Sequence, residues 1–155
     1  MLFASVAAAQ PLKPVEWKFV VEDRSNDGFV LKIKTNIAKD WYVYAEEMPD
    51  GGPLPMIIAF DEKTDEQANK PLYRITPYST MYDDVFDMNV NYYENTVIFA
   101  RDFTIDANRI DVMMTLEVQA CYKPDGQCVL ITDEVIMKIE RGDNTWGITE
   151  IKRIK

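Results

Sequence analysis

Alternation of apolar and polar residues runs through most of this chain. A repeat of two marks strands, because successive side chains of a strand point to opposite faces. In "DVMMTLEVQA" (111–120), Val112, Met114, Leu116 and Val118 fall on one face. In "VLITDEVIMKIE" (129–140), Val135, Met137 and Ile139 do the same. "VEWKFVV" (15–21), "FVLKIKTNI" (29–37), "WYVYA" (41–45), "MIIAF" (56–60) and "TVIFARDF" (96–103) complete the set. Turn chemistry separates them, as in "DRSNDG" and the Pro/Gly cluster "PDGGPLP". The one helix-like piece, "DEKTDEQANK" (61–70), is polar almost throughout and reads as loop or one loose turn. Seven or eight short strands at this spacing predict an all-β domain, an immunoglobulin-like β-sandwich, with a barrel as the alternative architecture.

Length and composition fit that expectation. A chain of 155 residues with 47% hydrophobic content suits one domain with its own core. The net charge of −9 disfavours nucleic acid and anionic membrane surfaces as partners. The chain has no histidine, which excludes Ser-His-Asp and Cys-His chemistry and leaves a poor ligand set for zinc. No metal and no cofactor is expected. The start, "MLFASVAAAQ", resembles the end of a secretory h-region with a small-residue cleavage site, although the basic n-region is missing. Residues 1–9 are therefore expected to be a signal-peptide remnant, residues 10–141 the folded domain, and 142–155 a tail. In that tail Trp146 and Ile148 either add an edge strand or stay loose. No later run reaches the roughly 18 apolar residues of a membrane span. An exported domain would sit where disulfides form.

The only two cysteines lie in "ACYKPDGQCV" (120–129). Pro-Asp-Gly is a turn with a mechanism: Pro presets φ, Asp bonds back to the backbone, and Gly accepts positive φ. Cys121 then ends one strand and Cys128 opens the next, facing each other across a hairpin. Two readings stand open. As a staple, the closed loop of about eight residues would add roughly 2.5 kcal/mol in the chain-entropy view. As a dithiol, a short accessible bridge would be labile and redox-active.

Two other stretches carry unusual chemistry. "KDWYVYAEEMPDGGP" (39–53) sets Trp41, Tyr42 and Tyr44 beside Glu46, Glu47 and Asp50. It reads either as a core strand or as an aromatic platform for peptide or glycan. "STMYDDVFDMNVNYYE" (79–94) sets Phe86 and Met88 among acids, asparagines and tyrosines. It reads either as an irregular loop that tucks Phe86 into the core or as a flap with an apolar tip. The acids Glu46, Glu47, Asp83, Asp84 and Asp87 lack the order of a calcium loop or a hydrolytic pair and read as a solvated face.

Taken in order, four features resemble the N-terminal periplasmic domain family of the thiol:disulfide interchange protein DsbD. They are the aromatic strand "DWYVYAEEMPDGGP", the flap "YDDVFDMNVNYYE" with its Asp-x-Phe, the strand into "VQAC", and a second cysteine opening the next strand. Together they cover roughly residues 14 to 140. The resemblance implies an immunoglobulin-like sandwich whose cysteine pair cycles between dithiol and disulfide. It implies that Cys128 attacks the incoming disulfide and Cys121 resolves the mixed disulfide. Phe86 and Asp84 would match the cap loop, and Tyr42 and Tyr44 the aromatics lining the site. Partners would be other periplasmic thioredoxin-like oxidoreductases, with electrons from a separate membrane donor. Two departures are visible: six residues between the cysteines where the family has four or five, and "VLITDE" where it has a Pro-Pro-Glu-like segment.

Overall fold

The period-two segments become strands in a computed structural model, which describes residues 13–25, 28–68 and 70–154. The expected signal remnant at 1–9 lies outside them. Among the described residues, eleven strands and one helix follow in order. They are β1 (Val15–Asp23), β2 (Phe29–Ile37), β3 (Trp41–Tyr44), β4 (Ile57–Phe60), α1 (Glu62–Gln67), β5 (Tyr73–Arg74), β6 (Ser79–Asp83), β7 (Met88–Tyr93), β8 (Thr96–Phe103), β9 (Arg109–Tyr122), β10 (Cys128–Gly142) and β11 (Thr145–Arg153).

The strands form two antiparallel sheets. The smaller has the order β1-β2-β8-β5, and the larger β11-β10-β9-β3-β7-β6, with β4 also pairing with β9. The sandwich expectation holds, and the barrel alternative does not. The core lies between the sheets. β9 contributes Ile110, Val112, Met114, Leu116, Val118 and Ala120, and β10 contributes Val135, Met137 and Ile139. Trp17, Leu31, Ile33, Phe99 and Phe103 face them from the smaller sheet. Phe29 stacks on Phe103, with ring centroids 4.9 Å apart, and tilts against Trp146 at 5.1 Å. Gly28 makes that stacking reachable: it adopts φ +91°, and a Cβ there would lie 1.9 Å from the Phe103 carbonyl oxygen.

Two stretches differ from what the sequence leads one to expect, and the tail takes one of its two expected forms. The segment 79–94 is not an irregular loop; it contains the β6–β7 hairpin, in register from Ser79↔Tyr92 to Asp83↔Met88. The polar piece at 61–70 contains a true six-residue helix, α1. Asp61 caps it by accepting the Thr64 N–H at 3.0 Å. Polar contacts dock it in place of an apolar face. Buried Thr64 accepts the Met113 N–H at 3.3 Å, and Arg101 reaches Asp65 at 2.5 Å and the Lys70 carbonyl at 2.9 Å. The stretch after Gly142 forms β11, an edge strand paired with β10.

β11 is tied across the sandwich at both ends. The Trp146 N–H donates to Asp23 at 2.9 Å, and Arg153 donates to the Trp17 carbonyl at 2.8 Å. Among the described residues no helix is long and apolar enough to cross a membrane. With Trp146 only 3% exposed and packed on Phe29, Trp146→Ala should cost about 3–5 kcal/mol, the range for deleting a large core aromatic. Urea denaturation measures this. A loss under about 1 kcal/mol would mean that β11 is not part of the cooperative unit.

Candidate functional site

The pairing of β9 with β10 decides where the cysteines go. Ala120 points into the core, so its neighbour Cys121 points to the outer face of the larger sheet. Cys128 sits directly opposite Cys121 in the register, and a disulfide joins them with Cα atoms 4.0 Å apart. The next rung is Tyr122 with Gln127, whose backbones are hydrogen-bonded at 2.9 Å. The cysteines therefore occupy the non-hydrogen-bonded rung, where side chains come closest. The turn between them works as its residues predict. Gly126 has φ +71° and donates its N–H to the Tyr122 carbonyl at 2.8 Å, while Asp125 accepts the Gln127 N–H at 2.9 Å.

The two sulfurs meet different surroundings. Cys121 is fully buried, although it lies outside the main core. It packs with Tyr44 and Val90 in a satellite cluster edged by Tyr42, Met48, Met81 and Met88. Cys128 is exposed, with its Sγ 3.6 Å from the Gly126 carbonyl oxygen.

The cover over Cys121 has two parts. The first is β3. Tyr42 pairs directly with Cys121, and its ring meets Tyr44 edge-on at 5.6 Å and Tyr92 at 5.9 Å. The second is the β6–β7 hairpin, with a tip at residues 84–87. A cleft of about 370 Å³ runs between them, lined in part by Tyr42, Tyr44, Phe86, Gln119 and Cys128. Phe86 is half-buried there, and Asp84 also lines it but is exposed. The structure thus brings Tyr42, Tyr44, Asp84, Phe86 and Cys128 to one cleft, with Cys121 buried beneath.

Asp83, one of the acids expected to form a solvated face, carries more of the geometry than Asp84. The Tyr44 hydroxyl donates to its Oδ2 at 2.7 Å. Its Oδ1 accepts the N–H groups of Val85 at 2.9 Å and Phe86 at 3.3 Å. Strand parity could have singled it out: Asp83 pairs with Met88, two residues from Val90, on the face that covers Cys121. The other acids are also engaged. Glu46 bonds Arg74 and Tyr93, Glu47 bonds Tyr78, and Asp87 bonds Tyr82. Among the described residues no group of acids and cysteines is arranged to hold a metal.

Trp41 departs from the aromatic platform. It packs toward the main core and meets Tyr122 at 5.2 Å, on the sheet face opposite Tyr42 and Tyr44. Alternation along β3 splits the three rings, so they do not form one open surface. Trp41 and Tyr122 instead line a second cleft, of about 490 Å³, which also reaches Cys128. Lys123, the one cation near the pair in sequence, is bound to Glu94, which holds its ammonium above the ordinary lysine range.

An immunoglobulin-like sandwich with a half-open cysteine pair on an outer sheet face, under an aromatic cap, defines a thiol–disulfide domain. The sequence matches the family described as thiol:disulfide interchange protein DsbD, N-terminal, over residues 8–139, and the chain belongs to that family of interchange domains. No curated protein matches the chain. Among solved structures, the reduced DsbD N-terminal domain of Neisseria meningitidis aligns with a TM-score of 0.49 and 17% identity, over 84% of this chain and 90% of that one. The N-terminal periplasmic domain of ScsB from Proteus mirabilis gives 0.56 and 14%, over 82% of this chain and 47% of that one. A complex between the DsbD and PilB N-terminal domains of N. meningitidis gives 0.45 and 11%, over 86% and 89%. At 14% identity the likeness to the ScsB domain speaks for the fold alone.

Burial pushes the Tyr44 phenol above the ordinary tyrosine range, and its bond to Asp83 adds to the shift. Burial does the same for Tyr93, helped by its bond to Glu46. Both phenols have raised folded-state values. Their stabilisation is therefore complete below about pH 10, the unfolded value, and is lost as pH climbs through the folded ones. Alkaline spectrophotometric titration at about pH 11 should find fewer phenolates in the native protein than in the urea-unfolded chain. Tyr44→Phe should shrink the shortfall by about one, because it removes one late-titrating group. Equal counts in native and unfolded protein would contradict the assignment.

Proposed function

We propose that this domain works in the periplasm, passing reducing equivalents to thioredoxin-like partner oxidoreductases through Cys121 and Cys128. In the reduced domain the Cys128 thiolate attacks the partner's disulfide. A mixed disulfide forms and one partner thiolate leaves. Cys121 then attacks the Cys128 Sγ and releases the second partner thiolate, so the domain ends oxidised and the partner gains two electrons. A membrane-embedded donor would restore the dithiol.

The observation that carries this reading is the asymmetry of the pair: Cys128 is exposed and Cys121 fully buried. A partner sulfur would meet the exposed Cys128 first, with Cys121 buried behind it. The bridge also lies outside the inter-sheet core, where it holds neither sheet to the other. Phe86, beside Cys128 in the cleft, would shield the pair until a partner displaces the cap.

The decisive experiment is trapping. Cys121→Ser leaves the attacking thiol without its resolver. With an oxidised thioredoxin-fold partner it should accumulate a mixed disulfide, at least about tenfold more than Cys128→Ser, since thiol–disulfide exchange depends on access to the sulfur. Equal trapping by the two variants would overturn the roles, and no trapping by either would overturn the exchange itself. Phe86→Ala should speed reduction of the bridge by a small thiol by at least about threefold, because an access-limited rate follows the open fraction. An unchanged rate would remove Phe86 from the shield.

A further inference from the structure

The larger sheet has an open edge beside Cys128. β10 begins at Cys128, but β11 joins it only from Val135↔Arg153 onward. Between Cys128 and Asp133, β10 pairs with β9 on one side, and among the described residues no strand pairs with it on the other. Strand parity identifies the backbone groups left over. Cys121 and Cys128 share a non-hydrogen-bonded rung, so Cys128, Leu130 and Thr132 direct their N–H and C=O groups away from β9. Glu134 has the same parity, and its carbonyl accepts the Ile154 N–H from that side at 2.8 Å. Cys128, Leu130 and Thr132 have no such neighbour among the described residues.

An open edge is a template for another strand, and proteins usually blunt one with proline, charge or a bulge. The stretch "CVLIT" (128–132) has neither proline nor charge, and its pairing with β9 runs without a bulge. Val129 and Leu130 are 36% and 54% exposed. This is also where the sequence departs from the family pattern. Alternate side chains open onto clefts. Val129 lines the one beside Trp41 and Tyr122, and Ile131 lines another of about 610 Å³ with Lys13, Asp133 and Arg153. Free backbone groups for affinity and pockets at every second residue for selectivity are the parts of a strand-addition site.

We propose that the edge from Cys128 to Thr132 receives an extended, cysteine-bearing segment of the partner oxidoreductase as an added strand, on the side away from the cap. The edge starts at the exposed sulfur, so the strand that fits it is one that carries a disulfide. A residue of that strand opposite Cys128 shares a hydrogen-bonded rung with it, on the same sheet face. Such pairs lie about 5.5 Å apart at Cα, inside the roughly 4.4–6.8 Å that a disulfide spans. Strand addition thus sets the partner's sulfur beside the Cys128 Sγ. The assignment rests on the interchange reading and specifies how the partner docks.

The test uses the Cys121→Ser domain and an acetylated, amidated heptapeptide, Thr-Val-Thr-Val-Cys-Thr-Lys, activated as its thiopyridyl disulfide. The Cys128 thiolate displaces pyridinethione and forms a mixed disulfide with no protein partner present. Amide hydrogen exchange at Leu130 should be fast in the free domain. In the peptide adduct it should slow by about threefold to tenfold, the effect of one ordinary hydrogen bond. A mercaptoethanol adduct should leave it unchanged. No slowing with the peptide, or equal slowing with mercaptoethanol, would overturn the edge. So would protection of Leu130 already in the free domain, from a second copy or from another part of the chain.

Leu130→Pro deletes the same N–H and leaves the bonds to β9 in place. It should attack the peptide's symmetrical disulfide about threefold to tenfold more slowly than Leu130→Ala does. The two variants should react alike with bis(2-hydroxyethyl) disulfide. Equal rates on the peptide, or a loss shared by both disulfides, would overturn the docking role. The exchange measurement decides alone if Leu130→Pro folds poorly. If the protein-trapping experiment fails while these results hold, the interchange reading falls and the strand-accepting edge stands.

Discussion

The antiparallel pairing of β9 with β10 runs in unbroken register from Arg109↔Glu140 to Cys121↔Cys128, and the rest of the site follows from it. Its inward rows are core residues, so the register cannot slip by one without turning Val112, Met114, Leu116 and Val118 out to solvent. Each such side chain is worth roughly 1.5–3 kcal/mol when buried, and their sum locks the pairing. The core thereby dictates that Cys121 and Cys128 meet on the outer face, at the end of the hairpin.

An outward-facing pair would ordinarily be wet on both sulfurs. Here the larger sheet continues past β9 through β3, β7 and β6, and those strands raise a second, smaller apolar cluster on its outer face. Tyr44, Val90 and the surrounding methionines take Cys121 out of solvent and leave Cys128 at the rim. Chemistry and stability are thus separated. The sandwich holds the register, while the tip at residues 84–87 lies outside the packing between the sheets. An exposed sulfur backed by a buried one is the arrangement that ordered attack and resolution require.

The main strands were legible because each exposes a full row of apolar residues at period two. The hairpin turn was legible because Pro124, Asp125 and Gly126 each have a specific use in it. The cysteines' face was also within reach, since Cys121 is out of phase with Val112 to Val118. The cap was not recognised as a hairpin. β7 does alternate, with Met88, Val90 and Tyr92 between Asn89 and Asn91, but acids and asparagines around it look like loop, and its apolar row serves only the small outer cluster. α1 was missed because its anchors, Thr64 and its neighbours' bonds to Arg101, are polar. Asp83 and Asp84 are adjacent and identical in type. Parity along β6 turns the first toward Tyr44, and the second falls in the tip, exposed.

The central claim is that the outer-face bridge exchanges electrons and is not a staple. The measurement that tests it most directly is the reduction potential of the Cys121–Cys128 pair, found by equilibrating the protein against glutathione buffers and counting alkylated thiols. The account predicts a value between about −180 and −270 mV, where disulfide oxidoreductases operate. A value below about −300 mV, the range of structural disulfides, would contradict it.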